Sequence, residues 1–98
     1  MDTEKLHATL AVRRLSAERD ARMRIAGFDQ KTLADRLNVS PSMISHILSG
    51  RRRTLWLRVA IASLIGNDYA DFWGEPQPEL TLCDTIKLRN VGIGKNGN

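Results

Sequence analysis

QKTLADRLNVSPSMISHILSG, running from Gln30 to Gly50, holds two short helical patterns joined by a tight break. The first is predicted to run from an N-cap at Asp29 through Lys31 and Leu33 to Leu37. The second opens at Ser40, with Pro41 at the first helical position, where a missing N–H costs nothing. Asn38 and Val39 form the turn. Leaving the first helix there calls for a left-handed backbone angle, which Asn tolerates better than any residue except Gly. Leu33, Ala34, Leu37, Val39, Ile44, Ile47 and Leu48 are spaced so that both helices turn apolar faces toward one cluster, with small Ala34 at the close approach. Ser42, Met43, Ser45, His46 and Ser49 are left facing outward. Such a split suits a helix-turn-helix whose second helix enters a major groove about 12 Å wide and reads it with its free face.

The spacing resembles the Cro/C1-type, or lambda-repressor-like, helix-turn-helix family. Gln30 falls on the Gln that often opens the first helix, Ala34 on its small residue, Asn38 on the usual turn Gly, and Ile44 on the buried β-branched residue of the second helix. The likeness continues through Ile47-Leu48-Ser49-Gly50-Arg51 and Ile61 to Gly66, then to Phe72-Trp73, so that it covers Ser16 to Trp73. It implies an all-α, compact four- to five-helix DNA-binding domain. It also implies a small phage- or mobile-element-type regulator. In that family the helix before Phe28 packs across the helix-turn-helix. The segment ahead of Leu15 is longer than this role requires, leaving an extra helix, an arm or a dimer contact open.

Ninety-eight residues allow one domain with a modest core, since chains of this size bury about 60 to 70% of the surface they expose unfolded. Residues 1–53 carry 11 basic and 6 acidic side chains, whereas residues 54–98 carry 4 and 5. A positive end that also holds the helix-turn-helix suits a polyanion. Cys83 is the only cysteine, which excludes an intramolecular disulfide and fits a reducing cytoplasm. With only His7 and His46 beside it, neither a metal site nor a cofactor is expected. No apolar run approaches the roughly 20 residues of a membrane span, and the N-terminus lacks the features of a signal peptide. The expected location is the cytoplasm, on DNA.

From Thr3 to Ala26 the chain reads as helix, with a break near Ser16, an apolar stripe of Leu6, Leu10, Ala17, Ala21 and Ile25, and Gly27 as its stop. Arg13, Arg14, Arg19, Arg22 and Arg24 are within reach of phosphates in one reading, but their interleaving with Glu18 and Asp20 favours the ordinary pattern of a solvated helix face. A further helix is predicted from an N-cap at Thr54 through Ile65. It carries Leu57, Ala60, Ile61, Leu64 and Ile65 on one face and Leu55, Trp56, Val59 and Ala62 on the other, so that it needs cover on both sides, from the N-terminal helix or a second subunit. Asp68 caps a short turn whose Phe72 and Trp73 anchor the core. Gly74, Pro76 and Pro78 then end helical structure. From Leu80 to Ile93, Leu82, Ile86, Leu88 and Val91 alternate loosely with Thr81, Thr85, Lys87 and Arg89, predicting one or two extended β-strands and a disordered tail from Gly94 to Asn98. The expected division is a helical extension over 1–15, the DNA-binding domain over 16–75 and an extended arm over 76–98.

These readings predict a sequence-specific DNA-binding regulator, a repressor, that binds an inverted-repeat operator in double-stranded DNA as a homodimer. Arg51, Arg52 and Arg53, which gain little from a core but can donate paired hydrogen bonds to phosphate, are the expected backbone contacts together with Gln30, and Lys31 and Ser40 are further expected DNA-binding residues. Ser42, Met43, Ser45, His46 and Ser49 are the expected reading face: Ser hydroxyls suit most base edges, Met43 a thymine methyl, and His46 a guanine N7 or O6. Because that face lacks Arg, Asn and Gln in its first turns, part of the specificity is expected from DNA shape. An antitoxin-type protein, whose residues from Leu80 to Ile93 cover a partner protein, is the alternative. No nucleophile with an orienting base and carboxylate is visible, so an enzyme is not expected.

Overall fold

The computed structural model describes residues 16–93, which form six helices and no strand. They are α1 (residues 16–25), α2 (Gln30–Leu37), α3 (Pro41–Ser49), α4 (Leu55–Leu64), α5 (Tyr69–Trp73) and α6 (Leu82–Asn90). The N-terminal extension over residues 1–15, with Leu6, Leu10, Arg13 and Arg14, and the tail over 94–98 lie outside the described residues.

The predicted punctuation of α2 and α3 forms as expected. The Asp29 carboxylate accepts from the Thr32 N–H at 2.7 Å and from the Thr32 hydroxyl at 2.8 Å. Those two bonds, the backbone one first, hold its pKa below the ordinary carboxylate value. Asn38 takes up φ 58°, its N–H reaching Asp35 O at 3.4 Å while the Val39 N–H reaches Ala34 O at 3.0 Å. This is the Schellman closure that the left-handed residue permits. Leu33, Ala34, Leu37, Ile44, Ile47 and Leu48 then bury completely or nearly so, with Val39 packed at the edge of the cluster.

The inward face of α1 is not the expected stripe. Ala17, Ala21 and Ile25 point to solvent, Ile25 being 86% exposed, while Met23 and Arg19 turn inward. Arg19 is therefore not on a solvated face. Its Nη1 donates to Leu48 O at 2.8 Å and its Nη2 to Trp73 O at 3.2 Å. Leu48 lies in the last turn of α3 and Trp73 ends α5, where carbonyls carry partial negative charge and lack helical partners. A buried guanidinium satisfies both ends, a demand that the spacing of apolar residues in α1 cannot express. The guanidinium also lies 4.8 Å from the centre of the Trp73 ring, as Arg58 does at 4.6 Å. Trp73 in turn donates from Nε1 to Arg58 O at 2.8 Å and meets Phe72 edge-on at 4.7 Å. Two buried cations this close repel, and burial together with the Arg58 charge lowers the Arg19 pKa. Glu75 offsets part of this repulsion, accepting from Arg58 Nη1 at 2.8 Å. Arg22 adds an exposed tie from α1 to α5 through Asp71 at 3.2 Å.

The C-terminal segment is helix, not the predicted strand. Thr81 and Asp84 exchange bonds in a capping box, with Asp84 N–H to Thr81 Oγ1 at 3.1 Å and Thr81 N–H to Asp84 Oδ2 at 3.0 Å. At the other end Gly92, at φ 79°, lets the Ile93 N–H reach Leu88 O at 2.8 Å. The even-numbered apolar residues that suggested a period of two include Leu82 and Ile86, which are four apart and equally at home on one helix face. Leu88 is the buried residue of α6, so the helix has little amphipathic signature and is defined by its ends. Packed on α4 together with α5, α6 supplies the cover that α4 needs. Among the described residues a helix of the same chain thus gives α4 cover that the sequence led one to seek from the N-terminal helix or a second subunit. Leu57, Ala60, Ile61, Ala62 and Ile65 bury on α4, and Leu55, Trp56, Val59 and Leu64 are partly covered, with Lys87 of α6 5.6 Å from the Trp56 ring.

Two stability outcomes follow from this packing. Arg19→Met removes two charge-assisted hydrogen bonds and leaves two carbonyls poorly satisfied, and should cost about 2 to 3 kcal/mol in urea unfolding with an unchanged slope. A loss below about 0.5 kcal/mol would place Arg19 among ordinary surface residues. At Asn38, replacement by Ala should cost about 1 kcal/mol, while Gly should be neutral or slightly stabilising, because only the Ala Cβ is strained at positive φ without a compensating side-chain amide.

Candidate nucleic-acid interface

Ser40 starts α3 by accepting the Met43 N–H on its hydroxyl at 3.1 Å, with Pro41 next in the chain. The cap sets the axis of α3, and at about 3.6 residues per turn the chain then sorts its side chains by position. Ile44, Ile47 and Leu48 face the core; Ser42 and Ser45 are exposed; His46 and Ser49 are half-buried. Met43 is partly buried against the core, so it stands at the edge of the outward face and not at its centre. The Ser49 hydroxyl donates to His46 O at 3.2 Å, which leaves its own lone pairs turned outward from the helix. Among the described residues the His46 ring has no hydrogen-bond partner.

Gly50, at φ 85°, ends α3, and the chain turns back so that the Arg52 N–H donates to His46 O at 3.1 Å. That bond fixes the arginine run beside the last turn of α3. The three guanidinium groups are not equivalent, however. Arg51 and Arg52 are exposed and make no ion pair among the described residues. Arg53 is bound to Glu75, the same carboxylate that holds Arg58. The hydrogen bond from Arg58, ahead of the charge of Arg53, keeps the Glu75 carboxyl below its ordinary pKa. Arg53 is thereby directed toward the body of the domain.

Gln30, half-buried at the start of α2, meets Ser49 and Arg51 in an open groove that Ser16, Ala17, Asp20 and Arg24 of α1 also line. Three of the predicted contact residues are thus brought together, and Arg24 joins them, its Nε donating to Asp20 Oδ2 at 2.8 Å. Nothing in the sequence distinguished Arg24 from the other arginines of its helix. Its place is set by where α1 comes to lie beside the start of α2 and the end of α3, a tertiary feature. Lys31 is exposed one residue along α2.

Chemically, this surface offers hydroxyls, one imidazole, a thioether and unpaired guanidinium groups. Among the described residues no three His, Cys, Asp or Glu side chains come together in a manner able to hold a metal ion, and no helix is long and apolar enough to cross a membrane. Comparison with curated proteins and with solved structures found no match for this chain. A family model described as helix-turn-helix matches residues 19–55, from Arg19 in α1, through α2, the Asn38 turn and α3, to the first residue of α4. That span contains both helices, the turn between them and the arginine run, in the arrangement by which a second helix is offered to a groove, and residues 19–55 are a helix-turn-helix domain of the Cro/C1-type family.

Proposed function

We propose that the protein is a sequence-specific transcriptional regulator, acting as a repressor, that binds an inverted-repeat operator as a dimer with α3 in the major groove. The observation that carries this reading is the free face of α3: Ser42, Ser45, His46 and Ser49 on a capped helix, with Arg51 and Arg52 exposed beside its end. Polar side chains of modest length on a rigid helix suit base edges, and the unpaired cations at its end suit the flanking phosphates. Two copies related by a two-fold axis would place two α3 helices about one helical turn apart on an inverted repeat. Gln30 and Lys31, at the start of α2, and the capping Ser40 are assigned to the sugar-phosphate backbone. Selection of bound duplexes from a random DNA pool tests the reading directly: enrichment of an inverted repeat is the expected result, and recovery of unrelated sequences would overturn it.

Positioning and reading separate in the response to mutation. Arg51→Ala and Arg52→Ala should each weaken binding to all sequences alike and reduce the slope of log affinity against log salt by about 0.9. Arg53→Ala should have a smaller effect on that slope, because its charge is already opposed by Glu75. A changed base preference for Arg52→Ala would place this residue in the reading set instead.

For His46, the measurement is a panel of single-base operator variants bound by the wild type and by His46→Ala. Loss of about 1 to 3 kcal/mol on the preferred operator, with discrimination lost at one symmetric pair of positions, is expected of a residue that reads a base. An equal loss on every variant would assign the imidazole to a phosphate.

A further inference from the structure

Ala17, Asp20 and Arg24 follow one another along α1 at separations of three and four residues, so they share one face of that helix. That face forms part of the wall of the groove that Gln30, Ser49 and Arg51 complete. Arg19 and Met23 occupy the core side of the same helix. The groove is open and holds about 460 Å³, many times the roughly 30 Å³ share of one water molecule, which is room for a sugar-phosphate unit. Its charged groups are Asp20, Arg24 and Arg51, one acid against two bases.

Arg24 is tied in a particular way. Its Nε donates to Asp20 Oδ2 at 2.8 Å, and its two Nη groups have no partner among the described residues. A guanidinium bonded at Nε keeps both terminal nitrogens, with four N–H groups in one plane, for a second acceptor. The Asp20 carboxylate is the anchored partner: its side chain is 29% exposed against 71% for Arg24, and its Oδ1 is buried without a hydrogen-bond partner. An i,i+4 pair with so exposed a member adds little to stability. Its consequence is directional, because it fixes a long cationic side chain that would otherwise sample many rotamers.

We propose that Arg24 is a further contact to the DNA backbone, donating through Nη1 and Nη2 to a phosphate at the Gln30 and Arg51 groove, and that Asp20 is the positioning residue that aims it. The proposal rests on the DNA-binding reading of the preceding section and extends that surface from the helix-turn-helix to α1. Arg22 supplies the contrast. It stands two residues away on α1 with the same charge, but its Nη1 donates to Asn67 and to Asp71 of α5, and it has no part in the groove.

The experiment measures the affinity of the full chain for a random-sequence duplex over a range of salt, since a backbone contact acts on any sequence. Arg24→Ala should reduce the slope of log affinity against log salt by about 0.9, so that its deficit against the wild type shrinks about three- to fourfold between roughly 50 and 200 mM salt. Arg22→Ala, which removes the same charge from the same helix, should leave the slope unchanged. Asp20→Asn keeps an oxygen able to accept from Arg24 Nε, whereas Asp20→Ala does not. Because these two variants carry the same charge, a gap of about threefold in favour of Asp20→Asn reads orientation alone. That gap should vanish in the Arg24→Ala background. Circular dichroism of each variant, matched to the wild type, keeps unfolding apart from lost contact. An Arg24→Ala slope equal to that of the wild type, or an equal flattening in Arg22→Ala, overturns the inference. A gap between the two Asp20 variants that is absent, or that survives without Arg24, overturns the positioning role. Failure of the DNA-binding reading would appear separately, as a wild type that binds no duplex even at low salt, and would take this inference with it.

Discussion

The buried guanidinium of Arg19 joins three parts of the molecule, α1, the end of α3 and the end of α5. It hydrogen-bonds the end of α3 through Leu48 O and the end of α5 through Trp73 O, and it stacks near the Trp73 indole. A cation at two helix C-termini is electrostatically favourable, and in a buried setting the bonds are directional as well as attractive. The consequence is positional. Apolar packing alone tolerates rotation and sliding of α3 by fractions of an ångström, whereas a bond from α1 to the last turn of α3 holds its axial position relative to the rest of the domain. A helix that reads a groove needs that definition, because each side chain on its free face has to arrive at one base pair.

Around this centre the charges are arranged in two tiers. Arg19 and Arg58 are inside, drawn together by Trp73 and eased by Glu75; Arg51 and Arg52 are outside and unpaired among the described residues. Arg53 connects the tiers, since its partner Glu75 is also the partner of buried Arg58. The exposed cations sit beside α3 because the Arg52 N–H is bonded to His46 O, so the geometry of the arginine loop and that of the free face are coupled through one backbone bond. Asp20 and Arg24 bring a further paired charge to the groove beside Gln30.

α6 changes how the other helices are to be understood. A helix as apolar around its circumference as α4 would be a liability if one of its sides faced water. Packing by α2 and α5 on one part and by α6 on another removes that liability within a single chain. The large apolar residues that remain exposed among the described residues are then few: Ile25 on α1 and Leu82 and Ile86 on α6.

How much of this was legible beforehand depends on the range of the interactions involved. Asp29, Asn38, Ser40, Pro41 and Gly50 act on backbone groups within a few residues of themselves, so the two helices, their turn and the outward face of α3 could be read from the sequence alone. The same local chemistry was present at Thr81 and Asp84, but the even spacing of the apolar residues favoured a strand, and only the docking of Leu88 on α4 shows why the helix is kept. In the sequence Arg19 looks like one more solvated charge because its partners lie 29 and 54 residues away. Sequence spacing records which residues can share a face; it does not record which carbonyls will be left waiting at the end of a distant helix. The pairing of Arg53 with Glu75, the presence of Arg24 in the Gln30 groove and the inward turn of Met23 in place of Ile25 belong to the same class. By itself the sequence determined the local geometry of the helix-turn-helix and the residues it offers. Only the tertiary structure decided which charges are free to meet a partner and which are consumed in holding the fold, since that depends on long-range contacts that no local pattern encodes.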